Sequence, residues 1–279
     1  MGRDTVLRVQ APGAVLGGWL RETAGTPPAL MLHGGPRLSE YMSPLADELE
    51  GLLTIARYQQ RGQAPSTATG PYDIETHVGD AIAVMDELGW QEPMLIGHSW
   101  GGHLALHIAV AHPDRIGSLV ILDGFGAFGD GGEALFGERL SAGLTARELA
   151  RLDELGAREP QSDDDIVEEF GIFWPQYFGD SGNAPPMPAL RFARASAATW
   201  DSIHAHLNRG TLESGVRGVQ APTLITHGDR SPIPLEQAQQ LASVMPNATL
   251  VVHHGKGHFP WLEEPGFVRR AVESWLAAR

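Results

Sequence analysis

Short apolar runs alternate with amphipathic stretches along this chain. Ala29-Leu30-Met31-Leu32, Leu53-Thr54-Ile55-Ala56, Met94-Leu95-Ile96 and Ser118-Leu119-Val120-Ile121-Leu122 are compact and apolar, the pattern of strands buried on both faces. Pro222-Thr223-Leu224-Ile225-Thr226 and Ala248-Thr249-Leu250-Val251-Val252 add two more. Between them the period changes. Val78, Ala81, Ile82, Val84, Met85 and Leu88 recur at helical spacing over residues 74–88, and stretches 41–52, 235–244 and 267–278 behave likewise. Residues 5–21 read as two short strands with a turn at Pro12-Gly13. Strands alternating with helices predict an α/β fold with a mostly parallel central sheet flanked by helices.

Residues 128–207 break that rhythm. They hold no clear buried strand, carry the acidic run Asp163-Asp164-Asp165, and cluster Phe170, Phe173, Trp174, Tyr177 and Phe178 before Pro185-Pro186. The expectation is a helical cap over 128–207, inserted into a core formed by 1–127 and 208–279. Phe173, Trp174 and Tyr177 are its candidate substrate-pocket residues.

Composition narrows the function. The chain has 279 residues, no cysteine and a net charge of -14. An acidic surface argues against nucleic acid as a partner, because phosphate neutralisation needs basic groups. No apolar run approaches the roughly 18 residues that span a bilayer, and Met1-Gly2-Arg3-Asp4 opens onto an alternating run with no apolar signal core. A cytoplasmic location with no membrane partner is expected. Without cysteine there is no thiolate nucleophile or ligand. His103 and His107 stand four apart, a spacing that can bind metal, but no third ligand accompanies them. They read as packing residues, and neither a metal nor a cofactor is expected.

Gly97-His98-Ser99-Trp100-Gly101 carries the chemistry. It lies between an apolar strand and a helical segment, the context of a G-x-S-x-G nucleophile elbow. A serine hydroxyl needs a base, and the base needs an orienting acid. His258, after the strand at 248–252, is the candidate base. Asp229, after the strand at 222–226, is the candidate acid, which gives the chain order serine, acid, histidine. Asp123, after the strand that follows the elbow helix, is an alternative acid. Attack on a carbonyl creates an oxyanion that needs preorganised N–H donors. The backbone N–H of Trp100 is one candidate. Gly35, in His33-Gly34-Gly35-Pro36, is the other, since Pro36 has no N–H, and His33 reads as a brace for that loop. His204 and His206 lie near the end of the cap, where either could face a pocket.

With these motifs in place the chain resembles an α/β-hydrolase over essentially its whole length. Within that superfamily it is similar to the proline iminopeptidase-like branch, through His33-Gly34-Gly35-Pro36, Gln60-Arg61-Gly62 and Gly97-His98-Ser99-Trp100-Gly101-Gly102. The resemblance implies a Ser99–Asp229–His258 triad under a helical lid. The chain departs from iminopeptidases at Arg37, at Gln63-Ala64-Pro65-Ser66, and at Trp200-Asp201, a loose echo of their cap signature. The leading expectation is therefore a cofactor-independent serine hydrolase of a small ester, lactone or thioester. The alternative is an iminopeptidase-type aminopeptidase acting on a short peptide, whose amine a cap carboxylate such as Asp163, Asp164, Asp165, Glu168 or Glu169 would bind. An acyltransferase, a carbon–carbon bond hydrolase or a non-catalytic binding protein could share the scaffold.

Overall fold

The computed structural model describes residues 4–36, 38–192 and 196–279. The N-terminal residues 1–3 and Arg37, both used in the sequence reading, lie outside the described residues. Eight strands form one sheet: β1 Thr5–Ala11, β2 Ala14–Arg21, β3 Pro28–Leu32, β4 Thr54–Tyr58, β5 Met94–His98, β6 Ser118–Leu122, β7 Thr223–Gly228 and β8 Ala248–His253. Their order is β1-β2-β4-β3-β5-β6-β7-β8. β2 pairs antiparallel with β1 and β4, and every other pairing is parallel. The central β5 and β6 are buried at every position, which explains their unbroken apolar sequence.

The chain runs from β3 outward to β4, then returns past β3 to place β5. This reversal is a topological switch point. Crevices open there at the carboxyl ends of parallel strands. The loop after β3 and the turn after β5 therefore meet at one edge, in the register Leu32 opposite Gly97 and His98 opposite Leu122.

Helices α1 Ser43–Glu48, α2 Ile74–Glu87, α3 Trp100–Ala111, α9 Leu235–Val244, α10 Pro260–Glu263 and α11 Phe267–Ala277 accompany the sheet. Asp73 starts α2 by accepting a hydrogen bond from the Thr76 N–H at 2.8 Å, a side-chain cap for one free helix donor. The helix expected over 41–52 is shorter. It begins at Ser43 because Pro44 favours a first-turn position, and Tyr41 is engaged elsewhere.

Between β6 and β7 the described residues form helices and turns: α4 Glu133–Ala142, α5 Ala146–Gly156, α6 Asp163–Phe173, a 3₁₀ turn Trp174–Tyr177, α7 Ser196–Arg209 and α8 Thr211–Val216. The acidic run has a local explanation. Ser162 and Asp165 form a reciprocal capping box at the start of α6, where negative charge also meets the positive end of the helix dipole. Arg158 pairs with Asp165, and Arg151 pairs with Glu168 at 2.7 Å.

Arg61 and Asp80 form an ion pair in which both side chains are 1% exposed. Arg61 Nε donates to Asp80 Oδ2 at 2.7 Å, and a second bond joins Nη2 to Oδ1. Removing one partner strands the other charge in the interior. Asp80→Asn is expected to cost about 3–5 kcal/mol of stability, measurable by urea unfolding. A loss below about 1 kcal/mol would show that the pair is not buried as described.

Candidate active site

Ser99 sits between the end of β5 and the start of α3 with φ 56° and ψ −122°. Among the described residues, only Ser99 and Asp123 are non-glycine residues with positive φ. Such strain persists where surrounding structure imposes it, and it clusters at functional sites. The elbow imposes it here through close backbone packing. A Cβ on Gly97 would lie 2.3 Å from the Gly101 carbonyl oxygen, and one on Gly101 would lie 2.0 Å from that of Leu32. The Ser99 N–H donates to the Leu122 carbonyl at 3.0 Å, and the Phe125 N–H donates to the Ser99 carbonyl at 3.1 Å. Elbow and β6 loop are thus fastened together.

The loop after β3 is braced from both sides. His33 is buried, with Nδ1 2.9 Å from the Gly34 carbonyl, while its Nε2 accepts from the Gln60 N–H at 3.1 Å. Gln60 also donates to the His33 carbonyl at 2.8 Å and accepts from Trp100 Nε1 at 2.8 Å. On the other side, the Gly34 N–H donates to the Tyr41 hydroxyl at 2.9 Å, and that oxygen lies 2.5 Å from His98 Nδ1. His98 Nε2 in turn lies 2.8 Å from the His258 carbonyl. Gly35 turns through φ +54°, and Gly35 and Trp100 both line the cavity beside Ser99.

His258 is 2% exposed and lines the same cavity as Ser99. Its N–H donates to the Tyr177 carbonyl at 2.7 Å, and its ring packs 5.4 Å from that of Tyr177. Burial pushes its pKa well below the ordinary 6.5, and the nearby His98 and His227 act in the same direction. Burial thus favours the neutral ring, the form a base needs.

The two candidate acids stand differently. Asp229 is engaged by the loop that follows β8. Its carboxylate lies 2.9 Å from His254 Nδ1 and accepts from the Gly255 N–H at 2.7 Å, with the side chain 28% exposed. These two partners hold its pKa below the ordinary value. Asp123 is fully buried at the end of β6. Its Oδ1 accepts from the Gly228 N–H at 3.0 Å and lies 3.7 Å from His227 Nδ1, while Oδ2 has no partner. Burial pushes its pKa well up, against the opposing Gly228 amide and Ser231 hydroxyl. The atom that faces His258 Nδ1 is Ser231 Oγ, at 3.3 Å. The sequence reading passed over Ser231. Its signal, a hydroxyl two residues after Asp229 in the same loop, says nothing of its direction.

The cavity has a volume of about 400 Å³, within the range of small-molecule sites. Ser99, Trp100, His258 and Gly35 line it. Phe125, Phe136, Phe170, Phe173, Tyr177 and Trp200 supply aromatic walls, and Glu169 is the one carboxylate among the described lining residues. Trp174, grouped with Phe173 and Tyr177 from the sequence, lines a smaller adjacent cavity of about 120 Å³ instead. His204 and His206 turn elsewhere, 2.7 Å from Glu133 and 3.0 Å from Glu75 respectively. His103 and His107 are buried, their Nε2 atoms 3.2 Å apart. Among the described residues no group of three or more His, Asp or Glu is arranged to hold a metal, and no helix is long and apolar enough to cross a membrane.

The buried histidines make an acid-sensitive fold. Burial lowers His77 and His98 to about 3, and His33, His103 and His227 to about 4, from 6.5. Below 6.5 the unfolded chain binds protons that the folded chain refuses, so stability is present above that pH and is lost as pH falls toward 4. Tm is expected to be clearly lower at about pH 5 than at about pH 7.5 by calorimetry. An unchanged Tm would contradict neutral burial of these rings.

The chain matches the alpha/beta hydrolase family over residues 29–271. It is 28% identical to the 2-hydroxymuconate semialdehyde hydrolase of Pseudomonas putida over 90% of this chain and 87% of that protein. It is 24% identical to the proline iminopeptidase of Lactobacillus helveticus over 99% and 95%. In three dimensions it is similar to the 2-hydroxy-6-oxo-6-phenylhexa-2,4-dienoate hydrolase from Rhodococcus sp. strain RHA1. The TM-score is 0.73 at 18% identity, covering 99% of this chain and all of that one. The strand order, the strained turn at Ser99 and the family match agree: this chain belongs to the alpha/beta hydrolase family.

Proposed function

We propose that the protein is a serine hydrolase that cleaves a small, largely apolar carboxylic ester, lactone or thioester through an acyl-enzyme on Ser99. The observation that carries this reading is Ser99 itself, strained at φ 56° at the sheet edge and opening into a cavity it shares with the buried His258. His258 takes the Ser99 proton as the hydroxyl attacks. Gly35 and Trp100 N–H groups hold the oxyanion, and water activated by His258 releases the acid product. Asp123, the alternative acid of the sequence reading, becomes the preferred one. It is buried, strained and has a free carboxylate oxygen, whereas Asp229 is committed to His254 and Gly255. The helices of 128–207 act as the lid, since Phe136, Glu169, Phe170, Phe173, Tyr177 and Trp200 line the cavity beside Ser99.

Glu169 favours a second reading. A carboxylate set among aromatic walls suits the amine of an aminoacyl substrate, as an aminopeptidase requires. Rates on a nitrophenyl acetate and on a proline nitroanilide separate the two. The ester reading expects turnover of the acetate that Glu169→Gln leaves nearly unchanged. Preference for the anilide, lost in Glu169→Gln, would transfer the assignment to the aminopeptidase. Turnover of neither, by a protein whose Ser99 does not react with a fluorophosphonate, would remove the serine hydrolase reading.

A further inference from the structure

We infer that Ser231 is a positioning residue that couples Asp123 to His258, so that the acid acts on the base through a hydroxyl and not by direct contact. The inference rests on the serine hydrolase reading above and adds how its base is oriented.

Three observations lead to it. In a Ser–His–acid arrangement, a carboxylate accepts from the Nδ1–H of the histidine, which fixes the tautomer and stabilises the imidazolium. Here the group at His258 Nδ1 is Ser231 Oγ, 3.3 Å away. Second, Asp123 keeps a carboxylate oxygen, Oδ2, that is buried and has no hydrogen-bond partner. A buried carboxylate leaving an acceptor unused is costly, and such an orphan calls for a physical reason. Third, Ser231 is itself 2% exposed and held in place, its N–H donating to the Gly228 carbonyl at 3.0 Å. Gly228 also donates its N–H to Asp123 Oδ1 at 3.0 Å. One glycine therefore fixes both the acid and the hydroxyl.

A hydroxyl both donates and accepts, and its proton rotates to suit its neighbours. His258 Nδ1–H can donate to Ser231 Oγ, which leaves the Ser231 proton free to turn to the unused Oδ2 of Asp123 as the imidazolium forms. When Ser99 attacks, its proton passes to His258 Nε2. The imidazolium charge polarises the Ser231 hydroxyl toward the carboxylate, and no proton leaves Ser231 or reaches Asp123. The strained φ of 43° at Asp123 sets the carboxylate at the end of β6, beside the end of β7 from which the Ser231 loop departs.

The rate of Ser99 phosphonylation by a fluorophosphonate probe tests the coupling without a known substrate. Ser99 Oγ attacks the probe's phosphorus, the P–F bond breaks and fluoride leaves to solvent, while His258 takes the serine proton. If Ser231 transmits the effect of Asp123, then Ser231→Ala and Asp123→Asn each slow labelling substantially. The double variant is then no more than about threefold slower than the slower single, because coupled sites are not additive. Ser231→Thr keeps the hydroxyl and is expected to label within about tenfold of the unaltered protein. The downfield imidazole Nδ1–H resonance of His258 is expected to persist in Ser231→Thr and to vanish in Ser231→Ala. Melting curves confirm that each variant is folded. Additive losses in the double variant overturn the coupling, as does an unaffected Ser231→Ala or equal impairment by Ala and Thr. Failure of the unaltered protein to label at Ser99 would instead overturn the serine hydrolase reading on which the coupling rests. Normal labelling with additive losses would overturn the coupling alone.

Discussion

Ser99→Ala is expected to lower kcat on an activated ester by about 10⁶, the loss seen when the nucleophile of a working triad is removed. Alanine deletes only the hydroxyl, so the fold should survive. The elbow's strain comes from the packing of Gly97, Gly101 and Leu32 and not from the serine side chain. Binding should survive as well, because the aromatic walls are untouched. Steady-state kinetics on nitrophenyl acetate checks this, with a substrate-binding measurement beside it. Retention of most of the activity by a pure, folded Ser99→Ala sample would place the chemistry elsewhere.

The second large effect separates the two acids. Asp123→Asn is expected to lower kcat on the order of 10²–10⁴, the upper end being the loss when a carboxylate directly bonded to the histidine is amidated. The intervening Ser231 hydroxyl attenuates the effect toward the lower end. Asp229→Asn is expected to change kcat by less than about threefold, since its carboxylate, on a side chain 28% exposed, serves His254 and Gly255 and an exposed hydrogen bond carries little. Parallel kinetics on the two variants decides the matter. A large loss in Asp229→Asn with little change in Asp123→Asn would restore the order Ser99, Asp229, His258.

Period and punctuation made most of the sheet readable. The apolar runs at 29–32, 94–96 and 118–122 form β3, β5 and β6, because a strand buried on both faces has no polar position to confuse the pattern. Six helically spaced apolar residues place a helix over 74–88, and α2 runs Ile74–Glu87; the Asp73 cap that starts it is visible only in the fold. Gly97 and Gly101 marked the turn because only glycine allows its backbone approach. What stayed hidden was direction. Asp123 and Asp229 each follow a strand at the same sheet edge, and position along the chain treats them alike. Only the fold shows that one side chain turns into the interior and the other toward His254. Ser231 was hidden for the same reason. A serine in a polar loop reads as a turn residue until His258 is found facing it. Glu169 illustrates the converse. It follows an acidic helix start whose charges are explained by capping and by Arg151 and Arg158, yet it lies where α6 turns toward the cavity.

The most direct test of the central claim is mass mapping of the adduct formed with a fluorophosphonate, in the unaltered protein and in His258→Ala. The account predicts a single adduct on Ser99 in the first and little or none in the second, because the hydroxyl is a poor nucleophile without its base. An adduct on another residue, or undiminished labelling of Ser99 without His258, would contradict it.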